Sequence, residues 1–295
     1  MSDYVISGES ATDFTEEKFA EIGVECIGCT FYLDGVAHYD DLGKTISNED
    51  FYEAMIAGAD TGTAAIAPGT YSDYFRKFLE DGKDVIHLTL TSGLSSTIEA
   101  AQLAAEDLRK EFPQRKLIIL DSMCCSPGFG LLLQEMSSRR AQGWDIEKLA
   151  KWVEENRLHM HHEFLSTDLT FYIKGGRVKP LAGFVGQLLG ICPILTMDGE
   201  GHLIPYEKAR NAKKGLRRLV DRFEELADGG ADYNGKVMLC HSYCPELADE
   251  LAAHIRERFP KIDGKIESYC IGPTVGSHSG PGTVAVFFWG KERTV

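Results

Sequence analysis

The sequence predicts an α/β protein of two domains, the first built on a parallel sheet and the second on a mixed sheet. In the first half, short apolar segments alternate with amphipathic helical segments, which is typical of a parallel sheet with helices on both faces. In the second half, Asp198-Gly199 is a turn signal between two apolar segments and predicts an antiparallel hairpin. A chain of 295 residues is long for one hydrophobic core, so we place the domains at residues 1–165 and 166–295.

Four strands are predicted in the first half, at residues 4–6, 24–31, 84–90 and 116–120. Helices lie between them. Ser47 and Asp50 have the spacing of a capping box, which opens a helix that runs through Met55. A second helix is predicted over residues 94–109. Pro127 suits the first turn of a third, because proline lacks the N–H group that a helix interior needs.

Two clusters in this half contain residue types that bind metals. The segment His159-Met160-His161-His162 follows a predicted helix over residues 145–158, and polar or cationic side chains suit the free carbonyl groups at a helix end. We therefore interpret it as the last turn of that helix. Cys26 and Cys29 have metal or redox spacing, but residues three apart on a strand face opposite sides of a sheet, which favours core positions.

The second half contains five predicted strands and two predicted amphipathic helices. The strands are at residues 192–196, 202–207, 236–240, 266–271 and 283–289, and the helices at 209–226 and 246–259. This order predicts a mixed sheet covered by helices.

Composition excludes several classes of function. Forty-five acidic against 31 basic residues give a formal charge of -14, which repels a nucleic-acid backbone. No apolar segment reaches the roughly 18 residues that span a bilayer, and the acidic N-terminus is unlike a signal peptide. We therefore expect a cytoplasmic protein, and free thiols suit the eight cysteines better than disulfides.

Residues 272–282 are the most informative segment for function. Four glycines and two prolines predict an ordered loop rather than a helix, with His278 between Ser277 and Ser279. Backbone N–H groups, hydroxyls and an imidazole are suited to an anionic ligand. The alternative is a structural turn whose histidine bonds a backbone carbonyl.

Two further polar segments occur in the first half. Residues 91–97 follow a predicted strand, and ligands bind at the carboxyl ends of the strands in open parallel sheets. Ser92 is therefore a candidate ligand-binding residue, while Ser95 or Ser96 is expected to cap the helix that follows. Residues 60–65, which include Thr63, read by themselves as a linker.

Taken together, these segments resemble the DegV family of bacterial fatty-acid-binding proteins. The resemblance extends over nearly the whole chain in its order and spacing. Its motifs are Ser92-Gly93-Leu94-Ser95-Ser96-Thr97, Asp121-Ser122, Asp168-Leu169, Lys174-Gly175-Gly176-Arg177, Pro193-Ile194-Leu195, Lys208-x-Arg210 and the closing Gly276-Ser277-His278-Ser279-Gly280-Pro281-Gly282. Two segments depart from the family: its Thr-Ser-Gln-Pro loop is Thr63-Ala64-Ala65-Ile66 here, and its Asp-Ser-Thr is Glu9-Ser10-Ala11.

The resemblance implies a DegV-like fold, with a Rossmann-like parallel-sheet domain, a mixed α/β domain and a lipid tunnel between them. It implies that Thr63, Ser92 and His278 hold the carboxylate of a long-chain fatty acid at the tunnel mouth. Residues of the same loops would support them, namely Gly93, Ser277 and Ser279. Tunnel-wall candidates are Phe184, Leu188, Leu189, Ile191 and Ile194, for which plain core is an equal alternative.

The resemblance also implies a partner. The protein would present the fatty acid to a fatty acid kinase that phosphorylates it to an acyl phosphate, a step in phospholipid metabolism, and would itself be a binding subunit. Arg177, Lys208 and Arg210 are candidates for contacting the kinase or the phosphate. No cofactor, metal or nucleic acid is expected, transient membrane contact is allowed, and the protein alone is expected to be monomeric.

The alternative function is an acyl hydrolase in which His278 activates Ser92. No Gly-x-Ser-x-Gly elbow follows a strand, and the sequence nominates no carboxylate to orient the histidine. We therefore favour the carrier hypothesis.

Overall fold

The computed structural model describes residues 4–179 and 191–294, which form ten helices and thirteen strands. The helices are α1 (Glu16–Ile22), α2 (Asn48–Ile56), α3 (Pro68–Glu80), α4 (Thr97–Glu111), α5 (Ser126–Ala141), α6 (Ile146–Asn156), α7 (Thr170–Lys174), α8 (Ala212–Leu226), α9 (Pro245–Arg258) and α10 (Pro273–Ser279). The strands are β1 (Tyr4–Glu9), β2 (Glu25–Ile27), β3 (Thr30–Leu33), β4 (Val36–Tyr39), β5 (Thr61–Ala64), β6 (Asp84–Thr89), β7 (Leu117–Asp121), β8 (Met160–Ser166), β9 (Cys192–Met197), β10 (Leu203–Ala209), β11 (Val237–His241), β12 (Glu267–Cys270) and β13 (Thr283–Trp289).

A parallel sheet organises the first half, as predicted. Its order is β2-β1-β6-β7, and every neighbouring pair is parallel. Side chains of β6 alternate between two cores: Val85 packs under α3 and α4, whereas Ile86 and Leu88 face the core that includes α5 and α6. The N-cap bond of the predicted capping box is also confirmed, because Ser47 Oγ accepts a hydrogen bond from the Asp50 N–H at 3.0 Å.

The second sheet is mixed and six-stranded, in the order β10-β9-β8-β13-β11-β12. Strands β9 and β10 form the predicted antiparallel hairpin, and β11 and β12 are a parallel pair. The predicted boundary between residues 165 and 166 falls inside β8, which pairs with β9 and β13. The division of the chain into two domains at that point stays a prediction.

The prediction of a helical turn holds for His159, which ends a 3-10 turn after α6, and is wrong for residues 160–162, because Met160–Ser166 is a central strand with every residue buried. Its histidines are accommodated by backbone groups. His161 Nε2 is 2.6 Å from the Lys291 carbonyl oxygen, and His162 Nε2 accepts from the Cys125 N–H at 3.2 Å. Because their hydrogen bonds are made within the protein, these polar side chains can be buried at positions where a central strand ordinarily has apolar residues.

A small three-stranded sheet, β4-β3-β5, lies beside the parallel sheet. The single strand predicted at residues 24–31 is therefore divided: β2 joins the parallel sheet and β3 joins the small one. Gly28 lies at the division, where an added Cβ would be 2.4 Å from the Asp40 carbonyl oxygen. The segment read as a linker at residues 60–65 contains β5, whose Thr63 pairs with Phe31.

The glycine-rich segment at 272–282 contains helix α10, so the prediction of a loop is wrong for residues 273–279. Pro273 occupies its first turn, where proline is tolerated. The helix begins on two buried carboxyl groups: Asp13 Oδ1 accepts from the Gly272 N–H at 2.9 Å, and Asp40 accepts from the Thr274 hydroxyl. It ends at Gly280, whose φ of 63° lies in the left-handed region that favours glycine.

Candidate functional site

A cavity of about 1060 Å³, measured with its open mouth, lies between the parallel sheet and the mixed sheet. On the parallel-sheet side it is lined from the carboxyl ends of three strands, by Glu9 at the end of β1, residues 94–97 after β6 and Cys125 after β7. Ligands bind at this edge of open α/β sheets. The remaining walls come from β5, α7, α10 and one face of the mixed sheet.

The inner wall is an apolar patch on the mixed sheet. Ala285 pairs with Phe164 on one side and Cys240 on the other, and Phe287 pairs with His162 in the next row that faces the same way. All five residues are buried and line the cavity. The patch can accept a hydrocarbon chain because its polar ring, His162, is already hydrogen-bonded within the protein.

Of the five tunnel-wall candidates from the sequence, the two that the structure describes lie away from the cavity. Successive residues of β9 face opposite sides of the mixed sheet. Ile194 faces away from the cavity and packs in the core beneath α8. Ile191 does not line the cavity. Phe184, Leu188 and Leu189 lie outside the described residues.

Solvent reaches the cavity at its polar end. Ala65 and Ser96 are exposed, and Thr63, Ser95 and Arg177 are half-buried. We call these five residues, with His278, the mouth of the cavity.

Thr63 and His278, two of the predicted site residues, meet at the mouth, and their role in holding a carboxylate stays a prediction. Thr63 Oγ1 is 2.7 Å from His278 Nε2, although the residues are 215 positions apart. Burial, and then the charge of Arg177, lowers the pKa of His278 to about 4, so the imidazole is neutral at physiological pH. His278 Nδ1 is buried without a hydrogen-bond partner.

Ser92 does not line the cavity, and its role in binding a carboxylate stays a prediction. The Ser95 N–H bonds to the Thr91 carbonyl oxygen and closes a turn after β6. Ser92 is exposed on this turn, and its N–H donates to Asp121 Oδ2 at 3.1 Å. Ser95 and Ser96, from the same motif, line the cavity instead.

The two cavity serines differ in the hydrogen-bonding capacity that they leave to a ligand. One of them was predicted to cap α4, and the Ser95 hydroxyl indeed accepts from the Thr97 N–H at 3.3 Å. Ser96 occupies the N-cap position, but its side chain makes no capping bond. Both hydroxyls therefore keep their hydrogen available to donate to a ligand, and that of Ser96 is also uncommitted as an acceptor.

The three supporting residues predicted around the site have structural roles. Gly93 packs against another turn, where an added Cβ would be 2.4 Å from the Gly201 carbonyl oxygen. The hydroxyls of Ser277 and Ser279 donate to the carbonyl oxygens of Pro273 and Gly280. None of the three lines the cavity.

Of the three basic residues predicted to contact the kinase or the phosphate, one lies at the cavity and two lie away from it. Arg177 lines the mouth, where its Nε donates to the Leu94 carbonyl oxygen at 3.2 Å and its Nη1 to that of Gly175 at 2.5 Å. Lys208 and Arg210 are exposed, at the end of β10 and just after it, and do not line the cavity. The structure thus brings one of the three to the site.

Glu9 is a cavity residue that the sequence did not suggest as a site residue. It is fully buried, and its carboxyl group accepts from the Tyr71 hydroxyl at 2.5 Å, the Thr97 hydroxyl at 3.3 Å and the Leu90 N–H at 3.1 Å. Its position at the end of β1 is a signal that strand-end reasoning could have used. Cys29, one of the two cysteines with metal or redox spacing, also lines the cavity, and burial raises its pKa.

The geometry does not form the pair that the hydrolase hypothesis requires. His278 Nε2 bonds Thr63 rather than a serine, and Nδ1 has no carboxylate partner. Ser92 is exposed outside the cavity.

Comparisons with known proteins agree with this architecture. A DegV domain-containing protein of Lactococcus lactis is 25% identical over 285 residues, 96% of each chain. The structure of a DegV lipid binding protein from Thermotoga maritima matches with a TM-score of 0.85 at 24% identity, over 99% of this chain and 100% of its own. A Thermus thermophilus DegV family protein, described as binding fatty acid, matches at 0.86 and 23% identity, over 98% and 100%.

A third structure, the fatty acid kinase B3 protein of Streptococcus pneumoniae loaded with linoleic acid, matches at a TM-score of 0.83 and 20% identity, over 98% and 100% of the two chains. These likenesses confirm the predicted DegV-like fold.

A DegV family model matches residues 5–291. A DegV domain-containing protein of Clostridium perfringens is 30% identical over 294 residues, 99% of each chain. Since both matches cover nearly the whole sequence, the chain belongs to the DegV family.

Proposed function

We propose that this protein binds a long-chain fatty acid in the cavity, with the carboxylate at the mouth, and presents it to a fatty acid kinase that forms the acyl phosphate. The observation that carries the proposal is the division of the cavity into a buried apolar inner wall and a polar mouth. A fatty acid has the same two parts. The Thermus and pneumococcal relatives, described with fatty acids, support this choice of ligand.

The carboxylate would be held by Thr63, Ser96 and Ser95, with His278 orienting Thr63. If Nε2 of His278 carries the proton and donates to Thr63 Oγ1, the Thr63 hydroxyl is free to donate into the cavity. The unpartnered Nδ1 is then an acceptor, which is less costly to leave buried than an N–H donor. This arrangement supplies hydroxyl donors to the ligand without a buried ion pair.

Apolar burial supplies most of the affinity in this proposal. About 14 methylene groups at about 0.8 kcal/mol each contribute roughly 11 kcal/mol, from which the costs of association and chain ordering are subtracted. The hydroxyl donors chiefly determine which end of the chain faces out, because a buried carboxylate without donors is costly.

The proposed kinase would meet the carboxylate at the mouth. Arg177 lies there and is the candidate for contacting the transferred phosphoryl group. Lys208 and Arg210 are exposed outside the cavity, which suits a role in docking rather than in lipid binding.

Lipid binding is tested first by solvent extraction of the purified protein and mass spectrometry of the extract. We expect close to one fatty acid per chain. Delipidated protein is then titrated with oleate, comparing Ser96→Ala with Ser92→Ala, a matched serine outside the cavity. Weaker binding by Ser96→Ala alone supports the proposed site, whereas an equal loss in both variants, or in neither, contradicts it.

Presentation is tested by adding a bacterial fatty acid kinase and ATP to the loaded protein and trapping acyl phosphate as the hydroxamate with hydroxylamine. Arg210→Glu is expected to lower the yield without changing oleate affinity, because the residue is outside the cavity. Lack of hydroxamate with kinases from several DegV-containing bacteria would refute the presentation step and leave lipid binding intact.

A further inference from the structure

Helix α7 and the residues after it form the floor on which His278 rests. Phe171 packs against Gly280, where an added Cβ would be 2.2 Å from the ring, and Tyr172 and Arg177 line the cavity. Between these residues, Gly175 lies against the imidazole. The same short segment thus supplies one wall of the cavity and the support of its histidine.

Gly175 leaves no room for a side chain. A Cβ added there would be 2.3 Å from His278 Nδ1 and 3.1 Å from the Phe171 carbonyl oxygen. Real Cβ atoms essentially never come as close to a heavy atom as the 2.3 Å to His278 Nδ1, so one of the two groups would have to move, whereas 3.1 Å to the carbonyl oxygen is tight but tolerable. The peptide oxygen ends α7 and is held by the Gly175 N–H at 2.8 Å, which leaves the ring as the group that moves.

Backbone conformation does not require glycine at this position. Gly175 has φ of −74° and ψ of −8°, values that every L-residue adopts readily. Its neighbour Gly176 has φ of 72°, in the left-handed region, and nothing within 4 Å of an added Cβ. The two adjacent glycines therefore serve different purposes: Gly176 allows the chain to turn, and Gly175 leaves space for the imidazole.

We propose that Gly175 is a positioning residue of the lipid site: its missing side chain lets the imidazole of His278 lie where Nε2 bonds Thr63. The inference deepens the proposed function and rests on it for the ligand. A methyl group at residue 175 would displace the ring by more than the 2.7 Å hydrogen bond to Thr63 can tolerate. The Thr63 hydroxyl would then lose its orientation toward the cavity.

The test compares Gly175→Ala with Gly69→Ala, a control in α3 where an added Cβ meets nothing within 4 Å. For oleate binding by delipidated protein, we expect Gly175→Ala to lose about tenfold, the worth of one hydrogen bond to a ligand. His278→Ala should lose a similar factor. Gly175→Ala added to His278→Ala should cost nothing more, because the group that it displaces is gone.

A ligand-free measurement separates this inference from the proposed function. The pKa of His278, followed by NMR of its ring protons, is expected near 4 in the parent and in Gly69→Ala. It should rise toward the ordinary value in Gly175→Ala, as the ring leaves its buried position. An unchanged titration and unchanged affinity in Gly175→Ala would overturn the inference. A parent protein that binds no fatty acid would refute the proposed function but leave the titration as a valid test of Gly175.

Discussion

Asp13, beneath the start of α10, is expected to make the protein less stable as the pH rises toward 8. Burial, and to a smaller degree the neighbouring carboxyl group of Asp40, raises the pKa of Asp13 from 3.8 to about 8, although hydrogen bonds from Ser126 and Gly272 oppose the rise. The folded protein therefore keeps a proton on Asp13 that the unfolded chain has lost. Stability from this group is fully present only below pH 3.8 and is lost as the pH rises through 8.

The substitution Asp13→Asn removes this titration with little change of shape. Asparagine keeps the acceptor for the Gly272 N–H, and it tolerates the left-handed backbone of residue 13, whose φ is 60°. A difference of one proton changes the free energy of unfolding by about 1.4 kcal/mol per pH unit. The advantage of the variant over the parent should thus grow by about 2 kcal/mol between about pH 6 and about pH 7.5.

Urea unfolding of both delipidated proteins at the two pH values measures this difference. Other titrating groups, including the buried histidines, are common to the two chains and cancel in the comparison, apart from Asp40, whose titration is coupled to that of Asp13. A stability difference that is the same at both pH values would show that Asp13 is ionised throughout, and would refute the reasoning from burial.

Three further predictions concern stability. Tyr206→Phe removes the 2.6 Å hydrogen bond to the buried carboxyl group of Glu163 and should lower the free energy of unfolding by about 1–3 kcal/mol. Oleate affinity should be unchanged, since neither residue lines the cavity, and a loss of affinity would contradict this prediction. Gly93→Ala should lower the melting temperature in calorimetry, because the new Cβ would be 2.4 Å from the rigid carbonyl oxygen of Gly201; an unchanged melting temperature would mean that the two turns separate freely. Burial lowers the pKa of His278 from 6.5 to about 4, so the stability that the neutral ring confers is present above pH 6.5 and is lost as the pH falls through 4. In urea titrations, His278→Gln should remove about 3 kcal/mol of this loss of stability in acid. Equal acid sensitivity of the two proteins would contradict the prediction.

The parts of the fold that the sequence predicted are those whose periodicity is local. The helices with capping residues and the strands of the parallel sheet were placed to within a few residues. Strand β8 was missed because it is central and buried on both faces, so it shows no alternation, and because His161, His162 and Glu163 interrupt its apolar run. Strand β5 was missed because Thr61–Ala64 owes its conformation to pairing with β3, far away in sequence.

The sequence identified segments that meet at the cavity mouth, but not which side chains of the motif after β6 line the cavity. Thr63 and His278 were named from separate segments, and the structure joins them by a hydrogen bond. The motif after β6 also lines the cavity, but which of its serines do so depends on how the five-residue turn from Thr91 to Ser95 closes. The backbone bond from Ser95 to Thr91 decides that question, and no composition signal reports it.

The chemistry of the mouth explains why a carrier would place hydroxyls, rather than a free cation, next to a carboxylate. Arg177 has two of its donors committed to the backbone carbonyls of Leu94 and Gly175, so its guanidinium is held at the rim before any ligand arrives. In the proposed reaction the carboxylate must attack a phosphoryl group, and a tight, desolvated ion pair with arginine would lower its nucleophilicity. In this proposal, neutral donors such as Ser96 and Thr63 would orient the carboxylate at a smaller cost in reactivity, and Arg177 would remain available for the negative charge that the transferred group brings. An arrangement in which hydroxyls bind the carboxylate and a guanidinium group lies beside it would therefore suit a ligand that has to react while it is bound.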